Sequence, residues 1–495
     1  MVSPFYSECP LASGGGFAGD VHPYDSELAK KGGIEMKTCL RISSEDYQSI
    51  KNHLFPEDGK EAIAFALCGR AQAESRLVFT VHEVLLIPYS RCVRELDYLH
   101  WKTEDVVPLM NKAMVKHMAI MRIHSHPGGW PHFSKYDLAT DEEFFGNLMA
   151  GWCEDGLPHL SATMLPGGRV IGRVYQADGS VQQLDQAIVV GEKIQFATLD
   201  DEQDNAPPEE ALRNIQAFGE GTYKSFKRLR IGIVGSSGTG CHVIEQLMRM
   251  QVGELILVDP DTIETKNLNR LVGAGRDDVG QFKVEFYKNY VERMQLSVDV
   301  WAFCCNLCLS DAARRALSTC DVLFGCVDSA SGRMLMNTIS AFYLIPYIDV
   351  GVQLDADGKG GVSYVGAQMD YLIPGKSSHV SRGTFNLENA RAEMEKLINP
   401  DLYAQHLKEN YIRNVQVDRP AVISIDGYIS YQAVLTLIDR LVGYRQEPLY
   451  AKVTTLLSSD DVIRRSEDDF KVDLYLKKYT GRGDMIPYIN MPGLG

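Results

Sequence analysis

One stretch, residues 229–259, narrows the folds open to this chain more than any other. LRIGIV (229–234) is apolar and short enough for a buried strand, and GSSGTG (235–240) is a glycine loop. Residues 241–250 carry a helical pattern, and LILVD (255–259) reads as the next strand. Strand, glycine turn, helix and strand make a unit of parallel sheet, because a parallel return needs a crossover. The glycines let backbone approach a phosphate, and the following helix presents unpaired N–H groups to it. Gly235, Gly238 and Gly240 are therefore candidate nucleotide contacts. Asp259 stands at the strand end, where an acidic residue binds a ribose hydroxyl. The glycine order is G-x-x-G-x-G rather than G-x-G-x-x-G, which weakens a dehydrogenase reading.

A chain of 495 residues with 45% hydrophobic content is expected to build two or three cores. Strand-like and helix-like segments run to about residue 191 and end in a hairpin-like 169–183 around Asp178 and Gly179. DDEQDNAPPEE (200–210) is acidic, proline-bearing and poor in apolar residues, the composition of an exposed linker. The expected layout is a first domain over 1–197 (core about 34–191), a linker over 198–211, an α/β domain over 212–443 and an extension over 444–495. Fifty Lys plus Arg against 65 Asp plus Glu give a net charge of -15, which argues against nucleic-acid or anionic-membrane partners. There is no apolar run of transmembrane length and no signal pattern in residues 1–33, so a soluble, cytoplasmic protein is expected. Eleven cysteines, mostly in apolar runs, read as reduced buried thiols. Cys305 and Cys308 form a C-x-x-C without a second pair at suitable spacing for structural zinc.

A different chemistry is written in HSHPGGWPHFSKYD (124–137). Residues 118–123 are apolar enough for a strand, in which His124 and His126 project from one face. Residues 127–129 end it, and a helix is expected from Ser134 through Met149, placing Ser134 and Asp137 on a shared face. His124, His126 and Asp137 are three ligands of the type a catalytic zinc uses, with a fourth position left open. Ser134 can donate to a developing oxyanion. A carboxylate base must come from elsewhere, and Glu61, just ahead of AIAFALCG (62–69), is the candidate, with Glu57 nearby. The bland alternative is that Ser134 and Asp137 only cap a helix. His-x-His, seven residues, Ser, two residues, Asp resembles the JAMM (JAB/MPN) metalloprotease family. That resemblance implies an N-terminal JAMM α/β domain with a zinc site, cleaving ubiquitin-like proteins from their conjugates with the upstream Glu as base.

DPDTIETKNLNR (259–270), DVGQFK (278–283) and GCVD (325–328) resemble the ubiquitin-activating enzyme superfamily, which includes the ThiF and MoeB adenylyltransferases. The resemblance covers roughly 212–443 and implies a Rossmann-like, mostly parallel-sheet adenylation domain using ATP and Mg2+. It implies that Arg270 and Lys283 contact phosphates, that Asn267 assists, that Asp259 holds the ribose and that Asp328 binds magnesium. Arg213 in LRNIQAFG (212–219) matches the arginine this family inserts from a partner subunit, so a homodimer is implied. Ser237 departs from the family's glycine. A larger departure is PGKSSHVS (374–381), where relatives carry Pro-Gly-x-x-Cys-x-x-Cys. Ser378 and Ser381 stand at the cysteine positions, and no cysteine follows Cys326. Transfer then stops at the acyl-adenylate, or a hydroxyl accepts the acyl group as an oxyester with His379 as base, or the serines were substituted for cysteines.

Taken together, the two resemblances imply a layout similar to bacterial ubiquitin-like conjugation systems, some tied to antiphage defence. ATP-dependent adenylation of a ubiquitin-like (β-grasp) protein would be joined to zinc-dependent processing, with a conjugating-enzyme-like partner downstream. The alternatives are a sulfur-carrier adenylyltransferase of cofactor or amino-acid biosynthesis, and a non-catalytic scaffold. The tail from 444 is expected to dock the conjugating partner, and the RGD at 482–484 is expected to be chance.

Overall fold

Two large sheets, joined edge to face by buried ion pairs, carry the two motif regions. The computed structural model describes residues 36–73, 76–198, 206–356, 361–401, 403, 404, 422–446 and 448–484. Residues 199–205 of the expected linker lie outside the described residues, as do 1–35 and the last part of the extension, 485–495.

The first sheet has nine strands. In spatial order they are Ile194–Phe196, Gln186–Val190, Lys37–Ser43, Arg76–Leu86, Ile63–Ala73, Ala119–Ser125, His159–Met164, Val170–Tyr175 and Val181–Gln183. Ile63–Ala73 is buried along nearly its whole length, as expected of an apolar run in a central strand. It pairs antiparallel with Ala119–Ser125, with Ile63 opposite His124. Phe65, Trp101, Phe144 and Phe145 fill the core between this sheet and helix Lys135–Gly151. The expected hairpin around Asp178 and Gly179 forms, joining Val170–Tyr175 to Val181–Gln183.

The second sheet has eight strands in the order Asp299–Phe303, Glu254–Val258, Arg230–Val234, Val322–Gly325, Tyr347–Ala356, Val362–Leu372, Lys452–Leu456 and Asp461–Arg465. The first five run parallel. The remaining pairings are antiparallel, so the sheet is mixed rather than mostly parallel. Residues 452–465, expected in an extension, add its last two strands. The winding reverses between Arg230–Val234 and Val322–Gly325, whose neighbours in sequence lie on opposite sides. At such a point the loops leaving the carboxyl ends of the two strands part and open a crevice.

The sheets meet over a buried polar seam. Asp321 accepts from Arg76 at 2.7 Å and lies 3.6 Å from Arg41, whose guanidinium also donates to the carbonyls of Ser318 and Tyr343. Residues 481–484 lie between the sheets: the Gly481 and Gly483 amides donate to Ala341 and Phe342, and the Asp484 amide donates to Arg70. Arg482 is buried, so the RGD is packing material and not an exposed loop.

Candidate functional sites

At the first site, the strand pairing does the positioning. Continuing the Ile63–His124 register by two residues sets Glu61 opposite His126, and the Ser125 amide donates to the Ala62 carbonyl at 3.1 Å to hold it. Ser134 caps helix Lys135–Gly151, with a reciprocal capping box to Asp137. Asp137 thereby turns inward. Its Oδ1 lies 3.1 Å from His124 Nε2 and its Oδ2 lies 3.3 Å from His126 Nε2. The two imidazole Nε2 atoms are 3.2 Å apart. The three buried groups converge so that their ligand atoms lie within 4.8 Å of one another. His126 Nδ1 donates to the Trp130 carbonyl at 2.9 Å, because a carbonyl only accepts, and this leaves the Nε2 lone pair facing inward. These groups fit a divalent cation. Ser134 caps the helix, as the bland alternative has it, and its hydroxyl donates to Asp137 Oδ2 at 2.7 Å.

Burial pushes the Glu61 carboxyl up to about 7, against the pull of His126. Burial also acts to raise Asp137, but the close approach of His124, His126 and Ser134 outweighs it and holds that carboxyl far below its usual range. Nothing local to Arg122 marks it as part of the site. This fully buried residue pairs with Asp141 and reaches within 4.0 Å of Asp137, backing the cluster from the protein interior.

The second site lies in the crevice where the winding reverses. Gly235 follows Arg230–Val234 with φ +91°, a conformation that side chains rarely adopt. A Cβ at Gly240 would collide with the Gly235 carbonyl. Helix Gly238–Arg249 starts at Ser237 without a side-chain cap, leaving its first amides for a ligand. The loop therefore fits a phosphate cradle, and Ser237 causes no backbone obstruction. Asp259 is buried and accepts from the Ser236 amide at 2.6 Å and the Asp261 amide at 2.9 Å, tying the loop to the next strand. A carboxylate keeps spare lone pairs for a ribose hydroxyl beyond these two bonds. Asn267 is buried and caps its own turn through the Glu264 amide. Arg270 is half-buried, its guanidinium donating to the Lys266 carbonyl and Asn269. Lys283 opens helix Lys283–Met294 and pairs with Asp261 at 2.8 Å. Asp328, exposed, follows Val322–Gly325 across the crevice.

Two groups here were missed from sequence. Asp261 was legible as the second acid of the DPD run. Asp426, on the distant helix Ile423–Val442, has no local signal; it is 1% exposed, and burial pushes its carboxyl up to about 6, Arg270 opposing and Asp328 adding.

Arg213 lies exposed on helix Leu212–Phe218 and donates to Gln216. Ser378 is buried and donates to Asp473 at 2.6 Å, while its amide donates to Ser381. His379 does not serve as its base: neither ring nitrogen has a hydrogen-bond partner, and the ring packs against Tyr347 and Phe385. The expected pairing of Ser378 with His379 fails because successive residues of this turn point apart. Cys305 and Cys308 gather no further metal-ligating groups among the described residues. No helix among the described residues is long and apolar enough to cross a membrane.

The ThiF family model matches residues 211–460. The chain is 31% identical over 152 residues to the adenylyltransferase and sulfurtransferase MOCS3 of Caenorhabditis briggsae, covering 31% of this chain and 37% of that protein. It is 29% identical over 171 residues to a ubiquitin-activating enzyme E1-like protein of Saccharomyces cerevisiae, covering 34% of this chain and 25% of that one. The chain thus spans about a third of the length of these curated relatives. Among solved structures, Escherichia coli MccB with ATP superposes with a TM-score of 0.40 at 18% identity, over 54% of this chain and 74% of that one.

Proposed function

The chain belongs to the ThiF family, and from that premise we propose that it activates the C-terminal carboxylate of a small ubiquitin-like β-grasp protein with ATP and Mg2+. The observation that carries this is the glycine loop at the winding reversal, with Arg270, Lys283 and Asp328 disposed around it. In the reaction a carboxylate oxygen attacks the α-phosphorus of ATP, the bond to the bridging oxygen breaks, and pyrophosphate leaves with the electron pair. The product is an acyl-adenylate. Arg270 and Lys283 meet the negative charge that builds on the phosphates, and Asn267 steadies the turn that carries Arg270. Asp259 orients the ribose, and Asp328 would hold magnesium, which would supply positive charge to the phosphates. Arg213 completes the site of a partner subunit in a homodimer. A conjugating-enzyme-like protein receives the acyl group.

The first sheet supports a second activity, a JAMM-type zinc hydrolase that trims or removes the same modifier. His124, His126 and Asp137 would hold the metal, which supplies Lewis-acid polarisation of the scissile carbonyl. Glu61, opposite His126, takes the proton from the attacking water, and Ser134 would donate to the developing oxyanion only on releasing the proton it gives to Asp137. The sulfur-carrier alternative fits the name of the MOCS3 relative, but no cysteine follows Cys326 to carry a persulfide.

ATP–pyrophosphate exchange with candidate β-grasp proteins tests the adenylation. Exchange should require the modifier's free C-terminus and vanish in Arg270→Ala and Lys283→Ala. Lack of exchange with every β-grasp protein encoded beside this chain, together with lack of zinc in the purified protein, favours the scaffold.

A further inference from the structure

Asp426 lies beside the glycine loop with a buried Oδ2 that has no hydrogen-bond partner among the described residues. Such a carboxylate bears a desolvation cost that no hydrogen bond among the described residues offsets at this oxygen, and groups of this kind in native proteins commonly answer to a ligand. The helix that carries it, Ile423–Val442, is pinned against the loop: Ser430 Oγ donates to the Thr239 carbonyl at 2.9 Å. A Cβ on Gly238 would collide with Asp426 Oδ2 and come within 3.2 Å of Arg270 Cδ. The missing side chain at Gly238 thus leaves this carboxylate directly over the first turn of helix Gly238–Arg249, where the amides are uncapped.

The neighbouring cation does not account for it. Arg270 directs its guanidinium to the Lys266 carbonyl and to Asn269. Asp328, across the crevice, is near enough for its charge to act on Asp426. A carboxylate aimed into a phosphate cradle repels the ligand that the cradle is built for, unless a cation stands between them. Two neighbouring carboxylates, with phosphate oxygens and waters, make the hard-oxygen ligand set that magnesium takes.

We propose that Asp426 is a second protein ligand for the divalent cation that accompanies the nucleotide, sharing it with Asp328. The proposal rests on the nucleotide site described above and adds to it a wall contributed by the long helix after the crossover. Held by two carboxylates, the cation would restrain the phosphates in the crevice more firmly than one ligand could.

The test is calorimetric binding of a non-hydrolysable ATP analogue across a magnesium series, with thermal melting of each variant. Wild type should bind more tightly as Mg2+ rises. Asp426→Asn and Asp328→Asn should each raise the Mg2+ concentration for half effect by roughly tenfold or more, with affinity in EDTA equal to or better than wild type. An unchanged magnesium half-point in Asp426→Asn overturns the proposal, as does the same result in Asp426→Ser should the asparagine variant not fold. Wild type that fails to bind the analogue at any magnesium concentration overturns the nucleotide site itself, and this proposal with it.

Discussion

Arg76 of the first sheet donates to Asp321 of the second at 2.7 Å with both side chains buried, and the same carboxylate also accepts the Arg230 amide of the central strand. One acid therefore ties the strand that leads into the glycine loop to the strand beside Ile63–Ala73. Removing it leaves the Arg41 and Arg76 charges buried without a counter-ion. Asp321→Ala should destabilise the protein by about 3–5 kcal/mol and lower the melting of both sheets together. Chemical denaturation followed by probes in each half checks this, and a loss below about 1 kcal/mol would mean that water replaces the carboxylate.

Gly240 faces the Gly235 carbonyl so closely that any Cβ must displace backbone. Gly240→Ala should therefore open the loop and weaken ATP-analogue binding by roughly a hundredfold, about 3 kcal/mol. Any zinc bound at His124, His126 and Asp137 in the other sheet should be retained. Near-wild-type nucleotide affinity in this variant would show that the loop does not cradle the phosphates.

Much of this was legible because it is local. The strand ending at Ser125, the helix begun by Ser134 and the glycine loop each follow from residues within one or two turns of each other. Glu61 could be named from its place just ahead of an apolar run and from the resemblance, while the register that brings it to His126 is visible only in the sheet. The sheet order was not legible: Lys37–Ser43 pairs with Gln186–Val190, a contact that depends on packing of the whole sheet and not on any local period. Asp426 escaped for the same reason, since helix periodicity says which face is buried but not which loop it is buried against. The RGD at 482–484 was read as chance, and Gly481 and Gly483, both at positive φ, fit it closely between first-sheet backbone and the end of helix Ala330–Phe342.

His126 offers an inward lone pair only because the Trp130 carbonyl takes its other proton. Purified wild type should hold stoichiometric zinc, and His126→Ala should retain less than about a tenth of it. Glu61→Gln should keep the metal while abolishing cleavage of a modifier fusion, because the amide preserves shape but accepts no proton. Metal analysis and a cleavage assay check the pair. Zinc lost equally in both variants would make Glu61 a ligand, and cleavage retained in Glu61→Gln would remove it as the base.

Ser378 directs its hydroxyl to Asp473, and Asp473 in turn accepts from the amides of Tyr475 and Leu476 at the start of helix Leu474–Lys478. That hydroxyl is a structural donor, with its proton committed to a carboxylate and no imidazole at hand to activate the oxygen. Ser378→Ala should cost about 1 kcal/mol of stability and loosen residues 474–484. Acyl-adenylate formation should continue at the wild-type rate, and mass spectrometry should find no hydroxylamine-sensitive adduct on wild type that the variant lacks. Such an adduct, seen on wild type alone, would mean that Asp473 lets go of the hydroxyl during turnover and that this loop opens to accept the acyl group.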